Sequence, residues 1–287
     1  MSIRVESLKT VVRAAVPRPV RNWLRSPSRS AEWLWDAAAF TFGARRTLAL
    51  LDDWSVVCHP HFYKVVRQAQ IADPEQSAEF RNFISHCARD MFLFDIGAHF
   101  GVFSLAAAHF GGRAVAIDPS PTATKMIAAE ARLNRCAKEI EILQAAVSDT
   151  NGEVAMLSSG VFSDGYFKFA RGRSRSDLTR TRALTVDQMA LQYGLPTHIK
   201  IDVEGHEAAV VRGARSTLRE ASPIVFLELH NEIVASEGAD PGTTLDELAA
   251  LGYTMQSIQG GSISRAEILR PAIIRVVAAR PPRGEQS

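Results

Sequence analysis

From about residue 55 onward, short apolar runs alternate with stretches whose apolar positions recur three and four residues apart. The runs Met91 to Ile96, Ala114 to Ile117, Ile140 to Val147, His198 to Val203 and Pro223 to His230 are nearly continuous in apolar character. Between them lie helical patterns at Phe100 to Phe110, Pro121 to Leu133, Thr185 to Tyr193 and His206 to Leu218, the first closed by Gly111-Gly112. Strands without polar alternation, separated by helices, predict a mostly parallel sheet buried on both faces, the doubly wound α/β arrangement. A further helix at Thr244 to Leu251 and strands at Tyr253 to Ile258 and Ala272 to Val277 complete the alternation.

Ahead of this core, Ser55 to Cys58 reads as a short strand and His59-Pro60 as a turn. Asp73-Pro74-Glu75 is a strong helix start, with Asp as N-cap and Pro in the first helical position. The helix it opens keeps Phe80, Phe83, Ile84 and Cys87 at helical spacing. Residues up to about Phe42 read as helical, with a break between Pro17 and Ser30. The organisation expected is a helical extension over 1–54, one large domain over 55–280 and a tail over 281–287. Residues 158–182, rich in Ser, Gly and Arg, interrupt the alternation as an inserted loop.

Composition adds exclusions. Apolar residues make up 46% of 287 and charged residues 22%, which is ordinary for a soluble globular chain. A net charge of +2 gives no global case for nucleic-acid binding. Cys58, Cys87 and Cys136 form no CxxC and cannot all pair, so reduced buried thiols and a cytoplasmic location are expected. No signal peptide is visible, and no apolar run approaches the ~18 residues that cross a bilayer. The extension carries Arg4, Lys9, Arg13, Arg18, Arg21, Arg25 and Arg29 against Glu6 alone. With Trp23, Trp33 and Trp35 it is either a leading helix packed on the domain or a peripheral membrane-surface contact.

The chemistry concentrates where two apolar runs end in carboxylates. Asp95-Ile-Gly97-Ala-His-Phe-Gly101 closes the first run and Asp118-Pro119 the second. Two such strand ends hold a nucleoside. A pyrophosphate placed over this turn would meet the Asp95 carboxylate, and the G-x-G-x-x-G of dinucleotide sites is absent. An ammonium group suits Asp95, and Asp118 can accept both hydroxyls of a ribose. S-adenosylmethionine carries both groups and no phosphate, so the turn reads as a methyl-donor site in which Gly97 and Gly101 allow close backbone approach.

Further motifs follow in a fixed order: Ala145-Ala-Val-Ser-Asp149 with Gly152-Glu153-Val154, Leu184-Thr-Val-Asp187, Ile199-Lys-Ile-Asp-Val-Glu-Gly-His-Glu207, Gly213-Ala214, and Leu227-Glu-Leu-His230. In these the chain resembles the FkbM family of S-adenosylmethionine-dependent methyltransferases, from about Ser55 to Ile258. The resemblance implies a class I methyltransferase (Rossmann-like) fold. It also implies methyl transfer to a hydroxyl oxygen of a sugar, polyketide or lipid-linked natural product. An N-methyltransferase acting on an amino sugar, and a non-catalytic fold kept for cofactor or partner binding, are the competing readings. His99 stands where the family usually has Asn, and is expected to donate to the methionine carboxylate. Ser148 and Asp149 are placed to reach the adenine amino group or to form a plain turn.

Lys200 and Asp202 lie in a strand that a parallel sheet should bury, so they must be paired or face a cavity. Asp202, at the strand's carboxyl end, is expected to face the sulfonium and the acceptor. Glu204 and Glu207 follow at a helix start. His230 is the expected general base, because a histidine near neutral pKa suits removal of a hydroxyl proton. The expected catalytic set is therefore Lys200, Asp202, Glu204, Glu207 and His230. No metal is expected, a divalent ion on Asp202, Glu228 and His230 being the lesser option. Lys168, Arg171, Arg173, Arg175, Arg180 and Arg182 form either a site for an anionic acceptor or a solvated basic loop.

Overall fold

A computed structural model describes residues 44–51, 54–158, 167–169 and 178–281. The first two elements, β1 (Arg46–Ala49) and β2 (Ser55–Cys58), form an antiparallel hairpin. Leu48 and Val56 are partners across it and both are buried. The expected boundary at residue 54 therefore cuts through a hairpin, and Arg46–Ala49 is strand where a helical extension was expected. Period-2 burial of one face decides this segment. The arginine- and tryptophan-bearing part of the extension lies outside the described residues.

Two helices follow, α1 (Pro60–Ala72) and α2 (Pro74–His86). Asp73 caps α2 as its residue type predicts, accepting the N–H groups of Glu75 and Gln76 with Pro74 in the first turn. Pro60 begins α1, so the His59-Pro60 turn is a helix start.

The main sheet has seven strands. In chain order they are β3 (Phe92–Ile96), β4 (Arg113–Asp118), β5 (Ile140–Gln144), β10 (His198–Ile201), β11 (Ile224–His230), β12 (Thr254–Ser257) and β13 (Ile273–Ala279). Their spatial order is β12-β13-β11-β10-β3-β4-β5. The five strands from β11 to β5 pair in parallel, while β13 is antiparallel to both β11 and β12. Helices α3 (Val102–His109), α4 (Pro121–Leu133) and α5 (Val186–Tyr193) lie close to their expected bounds. The predicted helix His206 to Leu218 is two pieces, α6 (Glu207–Arg212) and α7 (Arg215–Glu220). The Asp187 carboxylate takes the N–H groups of Ser216 and Thr217, which restarts the helix after Gly213.

The described residues of the expected inserted loop are strand. β6 (Ala146–Val147), β7 (Gly152–Ser158), β8 (Phe167–Phe169) and β9 (Leu178–Leu184) form a second sheet in the order β6-β9-β7-β8. The predicted strand Ile140 to Val147 accordingly divides between two sheets, as β5 and β6. Arg171, Arg173 and Arg175 lie outside the described residues. Arg180, on β9, pairs with Glu153 with both side chains exposed.

Alternation along the strands positions the chemistry. Phe94, Ile96, Ile117, Ile199, Ile201, Leu227, Leu229 and Val276 pack into one apolar core. Residues between them point to the other face, covered by α1 to α4. That face receives Asp95, Asp118, Lys200, Glu228, His230 and Arg275, all buried. The polar strand residues thus gather on a single side of the sheet, toward its carboxyl end.

Candidate active site

The turn after β3 is forced by backbone proximity. Gly97 has φ +77°, and a Cβ there would overlap the backbone carbonyl of Asp202. Its N–H donates to the carbonyl of Ile117, so the ends of β3, β4 and β10 are fastened at one point. His99 also has a positive φ, +49°, and its N–H donates to Asp118 Oδ2 at 2.9 Å. Ser120 N–H donates to Asp118 Oδ1 at 2.8 Å. Both oxygens of Asp118 are therefore oriented by backbone donors, and each keeps capacity for one more. Burial raises the Asp118 pKa to about 7, against the lowering by those two hydrogen bonds.

Asp95 has a partner within the chain besides facing the cavity. Its Oδ2 accepts both the hydroxyl and the N–H of Ser104, at 2.6 and 3.1 Å, which ties β3 to α3. It is almost fully buried, and burial raises its pKa to about 6 although the Ser104 hydroxyl lowers it. Asp95 is thus first an anchor for α3, which still lines an inner cavity.

Two cavities meet at Gly97, His99 and Asp202. One, of about 250 Å³, runs along the strand ends past Asp118, Glu204, Glu228 and His230. The other, of about 180 Å³, extends between α1, α2 and α3 and is walled by Val66, Phe80, Phe100 and Phe103. The His99 ring stacks on Phe100 with centroids 4.0 Å apart. Ser148 and Asp149 turn to other partners: Ser148 Oγ bonds His206 Nε2 at 2.9 Å, and Asp149 takes two bonds from Arg212. Ala145, Ala146, Val147 and Met156 line the cleft there instead. Ser148 and Asp149 thus form a turn held from the side of α6, at the end of the cleft where the adenine contact was expected.

The far end of the cleft is a network of buried charges. Lys200 Nζ lies 3.1 Å from Glu79 Oε1, 3.7 Å from Glu228 and 4.0 Å from Asp202. Arg275 makes two bonds of 3.0 Å to Glu228, its direct cross-strand partner, and reaches Asp73 at 2.8 Å. The pairing required of Lys200 is met by Glu79 on α2. Burial lowers the Lys200 pKa, but Glu79, Asp202 and Glu228 together raise it. A fully buried, ion-paired ammonium is a poor catalytic group, which corrects the role expected of Lys200. Glu207 is likewise buried, accepting Gly205 N–H at 2.9 Å and pairing with His230 Nδ1 at 2.8 Å. It positions others and does not reach the cleft.

His230 departs furthest from expectation. Its Nε2 faces Asp202, Glu204 and Glu228 carboxylate oxygens at 3.8, 3.9 and 3.7 Å. Burial lowers its pKa, but the Glu207 hydrogen bond and the charges of Asp202, Glu207 and Glu204 outweigh it and raise it to about 9. An imidazole so placed carries its proton at neutral pH, which corrects the expectation of a near-neutral base. Asp202 and Glu204 are the more exposed of the acidic side chains that line the cleft, at 32% and 22%. Glu204 has φ +53°, a left-handed conformation rare outside glycine, as is common where strain serves a site. Among the described residues, metal-ligating atoms of Asp202, Glu228 and His230 lie within 4.8 Å of one another.

Sequence reasoning missed Glu79, Arg275 and Asp73. Arg275 had a signal: a lone charge inside the apolar strand Ile273–Ala279, the same feature that singled out Lys200. Glu79 had none, since helix periodicity leaves a glutamate unremarkable. No helix among the described residues is long and apolar enough to cross a membrane.

The family described as the Methyltransferase FkbM domain matches residues 95–255, just over half of the chain. No curated protein matches in sequence. Among solved structures, a methyltransferase FkbM from Methylobacillus flagellatus KT is similar at 15% identity and TM-score 0.45, over 67% of this chain and 44% of that one. This chain therefore spans less than half the length of that protein. A precorrin-6y C5,15-methyltransferase from Geobacter metallireducens GS-15 is similar at 11% identity and TM-score 0.43, covering 71% of this chain and 89% of its own. An O-methyltransferase from Bacillus cereus, solved in complex with SAH, is similar at 12% identity and TM-score 0.42, over 76% and 90%.

Proposed function

Because the chain belongs to the FkbM methyltransferase domain family, we propose that it transfers a methyl group from S-adenosylmethionine to a hydroxyl oxygen of a sugar, polyketide or lipid-linked acceptor. The observation that carries the donor half is Asp118. Its two oxygens are each aimed by a backbone N–H and open on the same cleft as Gly97. That arrangement fits a ribose diol, whose two hydroxyls need two acceptors in one plane. A buried aspartate at this strand end, with no G-x-G-x-x-G turn, suits a pyrophosphate poorly.

The bound donor supplies a sulfonium methyl, whose carbon–sulfur bond breaks as the carbon–oxygen bond forms. Asp118, His99 and the Gly97 backbone bind and orient it. Asp202 borders both cavities and balances positive charge at the junction. Glu204 is the base: it receives the hydroxyl proton at a side-chain oxygen held toward the cleft by its left-handed turn. Glu207 fixes the His230 ring, whose Nε2 in turn faces the carboxylates of Asp202 and Glu204. Alignment of acceptor and donor supplies most of the acceleration. A small anionic acceptor, peripheral membrane contact and a cytoplasmic location remain part of this reading.

The test is calorimetry with S-adenosylhomocysteine and NAD, followed by transfer from methyl-labelled donor to hydroxyl and amino acceptors. Binding of the first nucleoside alone, with label on oxygen, is the expected result. Binding of NAD alone overturns the donor assignment, and label on nitrogen overturns the acceptor class.

A further inference from the structure

His230 holds a second arrangement that methyl transfer alone does not require. Its ring is 3% exposed and its Nδ1 is pinned by Glu207 at 2.8 Å. Its Nε2 points between Asp202 Oδ1 and Glu228 Oε1, at 3.8 and 3.7 Å. These separations are too long for hydrogen bonds. They leave a gap between the three side chains that a cation ~2.0–2.2 Å from each ligand atom would fill once the side chains close on it. The three ligand atoms fall within 4.8 Å of one another.

We propose that Asp202, Glu228 and His230 form a divalent-cation site whose remaining positions open on the cleft. The surrounding contacts are those a metal site needs. Glu207 takes the far nitrogen of the imidazole, orienting Nε2 toward the centre, and the proton that Nε2 holds in the ion-free chain leaves to solvent as the ion binds. Arg275 fixes both oxygens of Glu228 from the neighbouring strand, leaving Oε1 a second lone pair. Lys200 and Arg275 approach Glu228, but Glu79 and Asp73 neutralise them at 3.1 and 2.8 Å. With Glu204 and Glu207 also close, the centre keeps an excess of carboxylates. One imidazole with two carboxylates and open positions suits an oxygen-preferring cation such as Mn²⁺ or Mg²⁺. Asp202, with its side chain 32% exposed, is the ligand nearest solvent and gives the ion its entry.

The ion's use rests on the transfer reading above. It would hold an acceptor bearing a hydroxyl beside a second oxygen, a diol or a hydroxy-carbonyl compound, and ease loss of the proton that Glu204 receives. Ion binding itself is independent of that reading.

The experiment titrates the full chain, first stripped with chelator, with Mn²⁺ and follows the bound ion by electron paramagnetic resonance. One ion per chain is expected, with the nuclear coupling of an imidazole nitrogen. Asp202→Asn should weaken binding at least tenfold, and His230→Gln should abolish the nitrogen coupling. Asp246→Asn, an exposed partner of Arg265 remote from the cleft, should bind as wild type. Circular dichroism confirms that each variant is folded, and the more exposed Asp202 site decides if His230→Gln is not. The proposal is overturned if folded wild-type chain takes up no Mn²⁺, Mg²⁺ or Zn²⁺ at millimolar concentration. It is equally overturned if the ion binds without nitrogen coupling and unaffected by Asp202→Asn. Calorimetry of S-adenosylhomocysteine on the same samples tells a failure of the ion site from a failure of the transfer reading.

Discussion

The α-carbon of Gly97 lies against the backbone carbonyl of Asp202, so closely that any side chain on Gly97 would occupy the space of that oxygen. This contact sets the distance between the glycine turn after β3 and the carboxylates after β10. The left-handed φ of +77° adds a second penalty to any substitution. Gly97→Ala should therefore destabilise the chain by about 1–3 kcal/mol, as overpacking does. It should also weaken S-adenosylhomocysteine binding beyond what the lost stability explains. Urea denaturation and calorimetry on one sample measure both. Unchanged affinity in Gly97→Ala would show that the turn is not part of the donor site.

Donor affinity should depend on pH through Asp118. Its pKa is raised to about 7 by burial, with Asp95 and Asp202 adding to the rise. Below that value the carboxyl is protonated and loses acceptor capacity toward the two ribose hydroxyls. Affinity should therefore fall as pH drops from 8 to 6, approaching tenfold per unit at the acid end. Unliganded stability moves the opposite way: the raised pKa stabilises the fold at low pH, and this is lost as pH rises through about 7. Asp118→Asn should flatten the affinity profile and weaken binding by roughly 1.5–3 kcal/mol. A profile that stays steep in Asp118→Asn assigns the dependence to another group.

The Lys200–Glu79 pair fastens α2 over the sheet, with both side chains out of solvent. Removing one partner leaves the other charge buried, at roughly 3–5 kcal/mol. Lys200→Met alone should be that destabilising, while Lys200→Met with Glu79→Leu should recover much of the loss. Chemical denaturation of the four corners of the cycle measures the coupling. A single-variant loss below about 1 kcal/mol would mean that α2 is held by its apolar contacts and the Asp73–Arg275 bridge.

The sequence carried the strand order of chemistry but not its pairing. Periodicity located β3, β4, β10 and β11 and the carboxylates at their ends, because parallel strands buried on both faces leave few alternatives to an apolar run. It could not show that alternation sends Asp95, Lys200, Glu228 and His230 to the same face, since that depends on register between strands far apart in sequence. For the same reason Ser148 and Asp149 read as cofactor ligands, although His206 and Arg212 claim them from the other side of the turn. His230 read as a neutral base because three of its four carboxylate neighbours, Asp202, Glu204 and Glu207, follow the adjacent strand more than twenty residues earlier in the chain. Within 158–182, where Ser, Gly and Arg suggested irregular chain, the described residues 167–169 and 178–182 are strand because they pair with β7.

Glu204 offers the sharpest separation of stability from activity. Its φ of +53° costs a side-chain-bearing residue about 1 kcal/mol that glycine does not incur. Glu204→Gly should therefore keep the turn and hold or raise the melting temperature, while removing the carboxylate that takes the hydroxyl proton. Turnover should fall by the ~10²–10⁴-fold assigned to a general base, with S-adenosylhomocysteine affinity nearly intact. Glu204→Gln should show the same loss of turnover without the gain in stability, because the strained backbone is retained. Thermal melts, calorimetry and single-turnover methyl transfer on the two variants give the comparison. Full turnover in Glu204→Gly would move the base to Asp202, the other of the more exposed carboxylates that line the cleft. A falling melting temperature would instead show that the side chain supports the turn, and that its strain serves the fold rather than the reaction.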